Sequence, residues 1–292
     1  MLRLILSLPL LTLATLMTLS TTAQAGDRGL HNDTRKTFTP PEQMRSADWS
    51  DPVEMQRSWA RALVRVPTGK NRSRKLTTAK LPGWKAKAVY PAVVYMHGCA
   101  GIWPGTHERV KFLANSGFVV VAPASLARLK YPQSCDPRTH QGGMYRPTLT
   151  MRKYDAGYAI ERVKALPFVD PDRVVLMGLS QGGWTTSTFR PRNARQRVAA
   201  RVAEGITCHA GWKEYVGITA RRDEPVLTLV GVGDPWYQNK WTRGTCTKYI
   251  NRANGSRSVV YDSGRLATVH ELLDHRQPRA EVLEFLKTVL AH

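Results

Sequence analysis

The search for chemistry in this chain starts at a serine set between small residues. The apolar run Val174-Val175-Leu176-Met177 passes directly into Gly178-Leu179-Ser180-Gln181-Gly182-Gly183 and on to Trp184-Thr185-Thr186. A serine hydroxyl is a weak nucleophile until it is exposed beside a base. A sharp strand-to-helix turn supplies that exposure. Small residues two before and two after the serine admit the tight backbone, and the following helix points its N–H groups at the site. The G-x-S-x-G spacing alone also arises by accident in glycine-rich turns. With a strand before it and a helix after it, Ser180 becomes the expected nucleophile.

A nucleophile of this kind is followed along the chain by an acid and then a histidine. The apolar run Val226 to Val230 ends in Gly231-Val232-Gly233-Asp234-Pro235-Trp236, which puts Asp234 on a loop at a strand end. There it would orient and charge-stabilise an imidazole, although Asp-Pro is also a common turn former. Downstream histidines are His270, His275 and His292. His270, between the last strand and the last helix, is the expected base; His275, one turn further on, is the alternative, and His292 is terminal. Upstream, His97-Gly98-Cys99-Ala100-Gly101 also follows a buried strand. One amide of that turn, from Cys99 or alternatively Ala100, would join the amide of Gln181 to hold a tetrahedral oxyanion.

These residues need a scaffold, and the hydrophobic pattern describes one. Continuous apolar runs at 90–96, 118–122, 173–177, 198–202 and 225–232, with a last candidate at 258–261, have the composition of strands buried on both faces. Trp59 to Val66 alternates apolar and basic residues and predicts an edge strand, followed by a turn-rich basic loop through Gly83. Helical spacing fills the gaps at 108–116, 152–166 and 278–290. Strands alternating with helices imply a mostly parallel sheet covered on both faces. No repeat or linker interrupts the pattern, so residues 56–292 are expected to form one domain, preceded by a polar arm over 26–55.

The first 25 residues combine Arg3, an apolar stretch from Leu4 to Leu19 and the small-residue end Ala23-Gln24-Ala25, the pattern of a cleavable export signal. The expected mature chain begins near Gly26, is periplasmic or extracellular, and carries no transmembrane segment. Four cysteines, Cys99, Cys135, Cys208 and Cys246, follow the leader. An even number in an oxidising compartment favours disulfides, with three pairings open, and the spacing does not suit zinc. No metal or organic cofactor is expected. The formal net charge is +21, and ten basic residues fall between Arg57 and Lys87 with no acidic one among them. Such a field attracts anionic substrates, surfaces or polymers, or is simply a solvated face. No nucleic-acid-binding motif accompanies it.

As a set, the residues resemble the dienelactone hydrolase family of the α/β-hydrolases over about 60–290. The likeness lies in Tyr95-Met96-His97-Gly98-Cys99-Ala100-Gly101, Gly117 to Pro123, Asp155-Ala156, Val169-Asp170-Pro171-Asp172-Arg173-Val174 and the segment around Ser180. The resemblance implies an α/β-hydrolase fold and, through exported relatives, the pairs Cys99–Cys135 and Cys208–Cys246. The founding members look to use cysteine as nucleophile and carry glutamate where this chain has Gly98. Ser180 and Gly98 therefore point to serine esterase chemistry on a small ester. Trp236 and Trp184 are the expected substrate-contacting aromatics. A non-catalytic binder of anionic envelope polymers, and a serine peptidase or acyltransferase on the same fold, are the competing expectations.

Overall fold

The computed structural model describes residues 38–133 and 135–291. The expected leader and the first part of the arm lie outside the described residues, as does His292. After two short helical turns at Pro41–Gln43 and Ser46–Trp49 come helix α1 (Pro52–Ala60) and the hairpin β1 (Leu63–Gly69) and β2 (Arg72–Leu76). The chain continues with β3 (Tyr90–Met96), α2 (Pro104–Asn115), β4 (Val119–Ala122), α3 (Arg146–Lys164) and β5 (Val169–Leu179). Then come α4 (Gln181–Ser187), β6 (Ala200–Glu204), β7 (Val226–Gly231), β8 (Arg257–Tyr261) and α5 (Arg276–Val289).

The apolar runs become central strands because both of their faces find cover. In β3, Val93 and Tyr95 enter one core while Ala92, Val94 and Met96 enter the other. Successive side chains of a strand point to opposite faces, so a continuous apolar run is what two cores require. On one face α2 and α5 contribute Val110, Leu113, Val282, Phe285 and Leu286; on the other α3 contributes Ala156, Ala159, Ile160 and Val163. Each Val, Leu, Ile or Phe among them contributes about 1.5–3 kcal/mol when fully buried, and each Ala less.

The sheet has eight strands in the order β8–β7–β6–β5–β3–β4–β1–β2. Strands β3 to β8 pair in parallel, and β1 runs antiparallel to both β4 and β2. This is an α/β-hydrolase fold. Among the described residues, no helix is long and apolar enough to cross a membrane.

Three expectations are corrected at the N-terminal side. Trp59 does not begin a strand: it lies in α1, where Asp51 caps the N–H of Val53, Pro52 occupies the first turn, and Glu54, Ser58 and Trp59 are buried at helical spacing. The boundary at 55 therefore cuts through a helix. Its neighbourhood is tied to the domain, since the Glu54 carboxylate accepts from Leu129 N–H at 2.5 Å and Arg128, paired with Asp155 at 2.7 Å, donates to the Asp48 carbonyl. The basic loop also contains a strand, β2. It is hidden in sequence because its side chains are charged, as suits an edge that must not pair with another chain. Part of the basic stretch thus serves as a strand of the sheet.

Candidate active site

The strand order reverses between β3 and β5: β4 lies on one side of β3, and β5 to β8 lie on the other. In open parallel sheets the crevice beyond the carboxyl ends at such a point receives ligands. Each expected residue leaves the sheet at this edge. Cys99 follows β3, Ser180 follows β5, Asp234 follows β7, and His270 lies in the loop after β8.

Ser180 has φ 56° and ψ −121°, a left-handed conformation for a residue that carries a Cβ. Such strain costs on the order of 1–3 kcal/mol and persists only where the surroundings impose it. They do so here: the Ser180 N–H donates to the Glu204 carbonyl of β6 at 2.8 Å. The turn also passes so close to β3 that a Cβ on Gly182 would lie 1.9 Å from the Met96 carbonyl oxygen. Only glycine fits at that position.

His270 Nδ1 lies 2.6 Å from Asp234 Oδ2. Asp234 is fully buried, and its other oxygen accepts the Trp236 N–H at 3.0 Å, so the carboxylate is held at both ends. The imidazole therefore keeps its proton on Nδ1 and turns Nε2 inward. Nε2 is buried and has no hydrogen-bond partner among the described residues. The Ser180 hydroxyl instead engages the phenol of Tyr237. That phenol donates to the Gly205 carbonyl at 2.7 Å and accepts from the Trp184 indole at 3.3 Å. Burial, reinforced by Asp234, holds the phenol well above the ordinary tyrosine range. Gly205, at φ 62°, brings its backbone against His270; a Cβ there would meet the His270 carbonyl at 3.0 Å.

A cavity of about 310 Å³ opens over these groups, bounded by Cys99, Ala100, Trp103, Ser180, Trp236 and His270 among others. Cys99 is joined to Cys135, and Cys208 to Cys246, with Sγ–Sγ separations of 2.16 and 2.04 Å. These are the pairs the resemblance implies. Beneath the cavity, the Gln181 side-chain oxygen accepts from Arg152 at 2.6 Å and from the Tyr131 hydroxyl at 3.3 Å. Arg152 also donates to the His97 carbonyl, so one buried guanidinium ties the turn after β3 to the turn after β5. His97 Nε2 accepts the Ser125 N–H at 3.3 Å, leaving the proton on Nδ1 for the Gly98 carbonyl at 2.6 Å. His97 is accordingly a structural residue of the turn.

Two expectations about the aromatics part company. Trp236 lines the cavity, its ring 5.4 Å from that of His270 and tilted by 31°. Trp184 does not: it points into a small core with Met144, Leu149 and Ile206, because α4 turns that face inward to cover the sheet. Its polar edge reaches the site only through Tyr237. His275 is the residue immediately before α5, makes no side-chain capping hydrogen bond there, and is not among the residues lining the cavity.

A buried ionic scaffold was not foreseen. Arg109 of α2 is fully buried and makes a two-pronged contact with Glu204, at 3.0 and 2.8 Å, while its remaining nitrogen reaches Asp274 at 2.8 Å and Glu271 at 3.4 Å. Glu204 in turn accepts the Leu273 N–H at 2.8 Å. One glutamate therefore holds Ser180 through its carbonyl and the segment after His270 through its carboxylate. Glu271 lines the cavity, and burial pushes its carboxyl up to about 7 despite the opposing Arg109. The available sequence signal was an arginine and a glutamate embedded in otherwise apolar buried faces, at Arg109 and at the end of β6.

A model described as the dienelactone hydrolase family matches residues 80–261. Ser180 and Asp234 fall within that stretch and His270 beyond it. No curated protein sequence matches the chain. Among solved structures it is similar to a dienelactone hydrolase-like promiscuous phosphotriesterase from metagenomic libraries, at 20% identity over 70% of this chain and 81% of that one, TM-score 0.45. It is likewise similar to a phospholipase/carboxylesterase from Dyadobacter fermentans, at 18% identity over 78% and 95%, TM-score 0.45. An esterase from Pyrobaculum calidifontis matches at 18% identity over 84% and 92%, TM-score 0.46.

Proposed function

The chain belongs to the dienelactone hydrolase family, and on that premise we propose that it is an exported serine hydrolase that cleaves carboxylic esters through an acyl-enzyme. Ser180 attacks the ester carbonyl as His270 Nε2 takes its proton. Asp234 holds the imidazole in the required tautomer and stabilises it once charged. The amides of Gln181 and Cys99 receive the negative charge that develops on the carbonyl oxygen. His270 then protonates the leaving alcohol, and water releases the acid by the same steps in reverse order of groups. No metal enters this sequence.

The observation that carries the reading is the 2.6 Å contact between His270 Nδ1 and Asp234 Oδ2, with Nε2 left unpartnered and with His270 and Ser180 lining the same cavity. Export is part of the proposal: two disulfides suit an oxidising compartment, and the leader pattern ends at Ala25. Turnover of a p-nitrophenyl ester by the purified mature chain tests the chemistry. The Ser180→Ala variant is expected to lose it by at least about 10⁴-fold. Full activity in that variant refutes the assignment. Mass measurement of protein recovered from the periplasm or medium tests the leader, with Gly26 as the expected first residue.

A further inference from the structure

The cleft does not end at Ser180. A second cavity of about 460 Å³ shares His140 and Trp236 with the first and continues to Trp212 and Trp241. Trp241 is 63% exposed and Trp212 36%, a large apolar area to leave in water without a use. Both rings are held ready. Lys240 sits 4.9 Å over Trp241, and Arg146 sits 5.8 Å over Trp212 while pairing with Glu214. The Asn239 side chain accepts the N–H groups of Trp241 and Thr242 at 2.9 and 3.1 Å, which fixes the turn that presents Trp241. The Cys208–Cys246 disulfide closes the stretch of chain that contains both tryptophans.

The direction of the substrate follows from the proton. The leaving oxygen must lie beside His270 Nε2, because that nitrogen protonates it. Trp236 lies alongside His270 and is also a wall of the second cavity. The leaving alcohol therefore runs along Trp236 into the second cavity, while the acyl part stays near Ala100 and Trp103.

The chemistry of the lining selects the alcohol. It offers indole rings together with the amide side chains of Gln141 and Asn239, and no Asp, Glu, Lys or Arg is among its lining residues. The cations nearest the cavity, Lys240 and Arg146, are already engaged by the indole rings and by Glu214, and a plain hydrocarbon leaves the amides unmatched. A pyranose ring has C–H faces that stack on indole and hydroxyl edges that bond to amides. We infer that the second cavity is a sugar subsite and that the substrate is an O-acylated glycoside whose sugar is the leaving alcohol. This rests on the ester-cleaving reading of Ser180. In the reaction Ser180 Oγ bonds to the acyl carbon, and the bond from that carbon to the sugar oxygen breaks. The sugar oxygen leaves with the proton His270 took from Ser180, and water then converts the acyl-serine to the carboxylic acid.

The test compares kcat/KM of the mature protein for three acetates: ethyl acetate, 2-naphthyl acetate and a mono-O-acetylated methyl cellobioside. Wild type favours the sugar ester over ethyl acetate. Trp241→Ala, a change on an exposed turn, lowers the ratio of sugar ester to ethyl acetate by about tenfold, the size of one lost stacking face. Trp212→Ala, in a different loop, lowers it in the same direction. Hydrolysis of ethyl acetate with a ratio that neither variant moves overturns the sugar subsite alone. An equal fall for 2-naphthyl acetate overturns it in favour of an aromatic-ring site. Inertness of all three esters overturns the ester reading and this inference with it.

Discussion

The cleft has two walls made by different means. The wall that carries Ser180, Asp234 and His270 rests on buried charge: Arg109 with Glu204, and Arg152 with the oxygens of Gln181 and His97. The facing wall, with Trp212, Trp236, Trp241 and the segment around His140, is more exposed and is pinned by Cys99–Cys135 and Cys208–Cys246. Buried ion pairs add little net stability, but they fix geometry, because an unpaired partner is costly wherever it moves. A disulfide constrains the unfolded chain and leaves the surface above it free to change. On the proposed reading, the reacting groups sit where displacement is expensive, and recognition sits where substitution is cheap.

The comparison breaks most visibly at the base. His270→Ala is expected to cost about 10⁴-fold in kcat/KM on any ester, whereas His275→Ala, immediately before α5, stays within about twofold. Equal losses would show that the wall has been misassigned. Next in size is the buried pair itself. Arg109→Met strands Glu204 and should destabilise the chain by about 3–5 kcal/mol in urea unfolding. Lys130→Ala, which breaks the more exposed contact to Asp48 at 3.0 Å, should cost less than about 1 kcal/mol.

On the facing wall, Cys135→Ser paired with Cys99→Ser opens a loop of sequence separation 36 and should cost about 2–4 kcal/mol. Its kinetic signature should be a raised KM together with a lower kcat, since Cys99 belongs to both walls. The Cys208→Ser and Cys246→Ser pair should affect KM alone. The smallest effect is one of pH. The folded value for Glu271, about 7, lies above its ordinary 4.5, so the stability its neutral form contributes is complete below 4.5 and lost as pH rises through about 7. Glu271→Gln stays neutral. It should match wild type near about pH 4 and exceed it by about 1–3 kcal/mol near about pH 9 in the same unfolding assay.

What could be read from the sequence follows from the range of each interaction. The strands at Tyr90–Met96 and Val226–Gly231 were legible because burial on both faces leaves a continuous apolar run. The turn at Ser180 was legible because its glycines are dictated by local backbone contact. β2 was not, since an edge strand can be wholly charged, and Trp59 was misread because alternation over a few residues also fits one face of a helix. Trp184 was misplaced because a tryptophan beside a nucleophile reads the same whether its ring faces the cleft or the core. The Arg109–Glu204 scaffold joins residues 95 positions apart, and Tyr237 reaches Ser180 across two loops; neither has a local pattern to read.

The central claim is that Ser180 becomes covalently acylated. Intact-mass and peptide mapping of the mature protein after treatment with a fluorophosphonate tests it most directly. The account predicts one equivalent of label, on the peptide containing Ser180, absent in Ser180→Ala and strongly slowed in His270→Ala. Ester turnover by a protein that takes no label, or label on a residue other than Ser180, would contradict it.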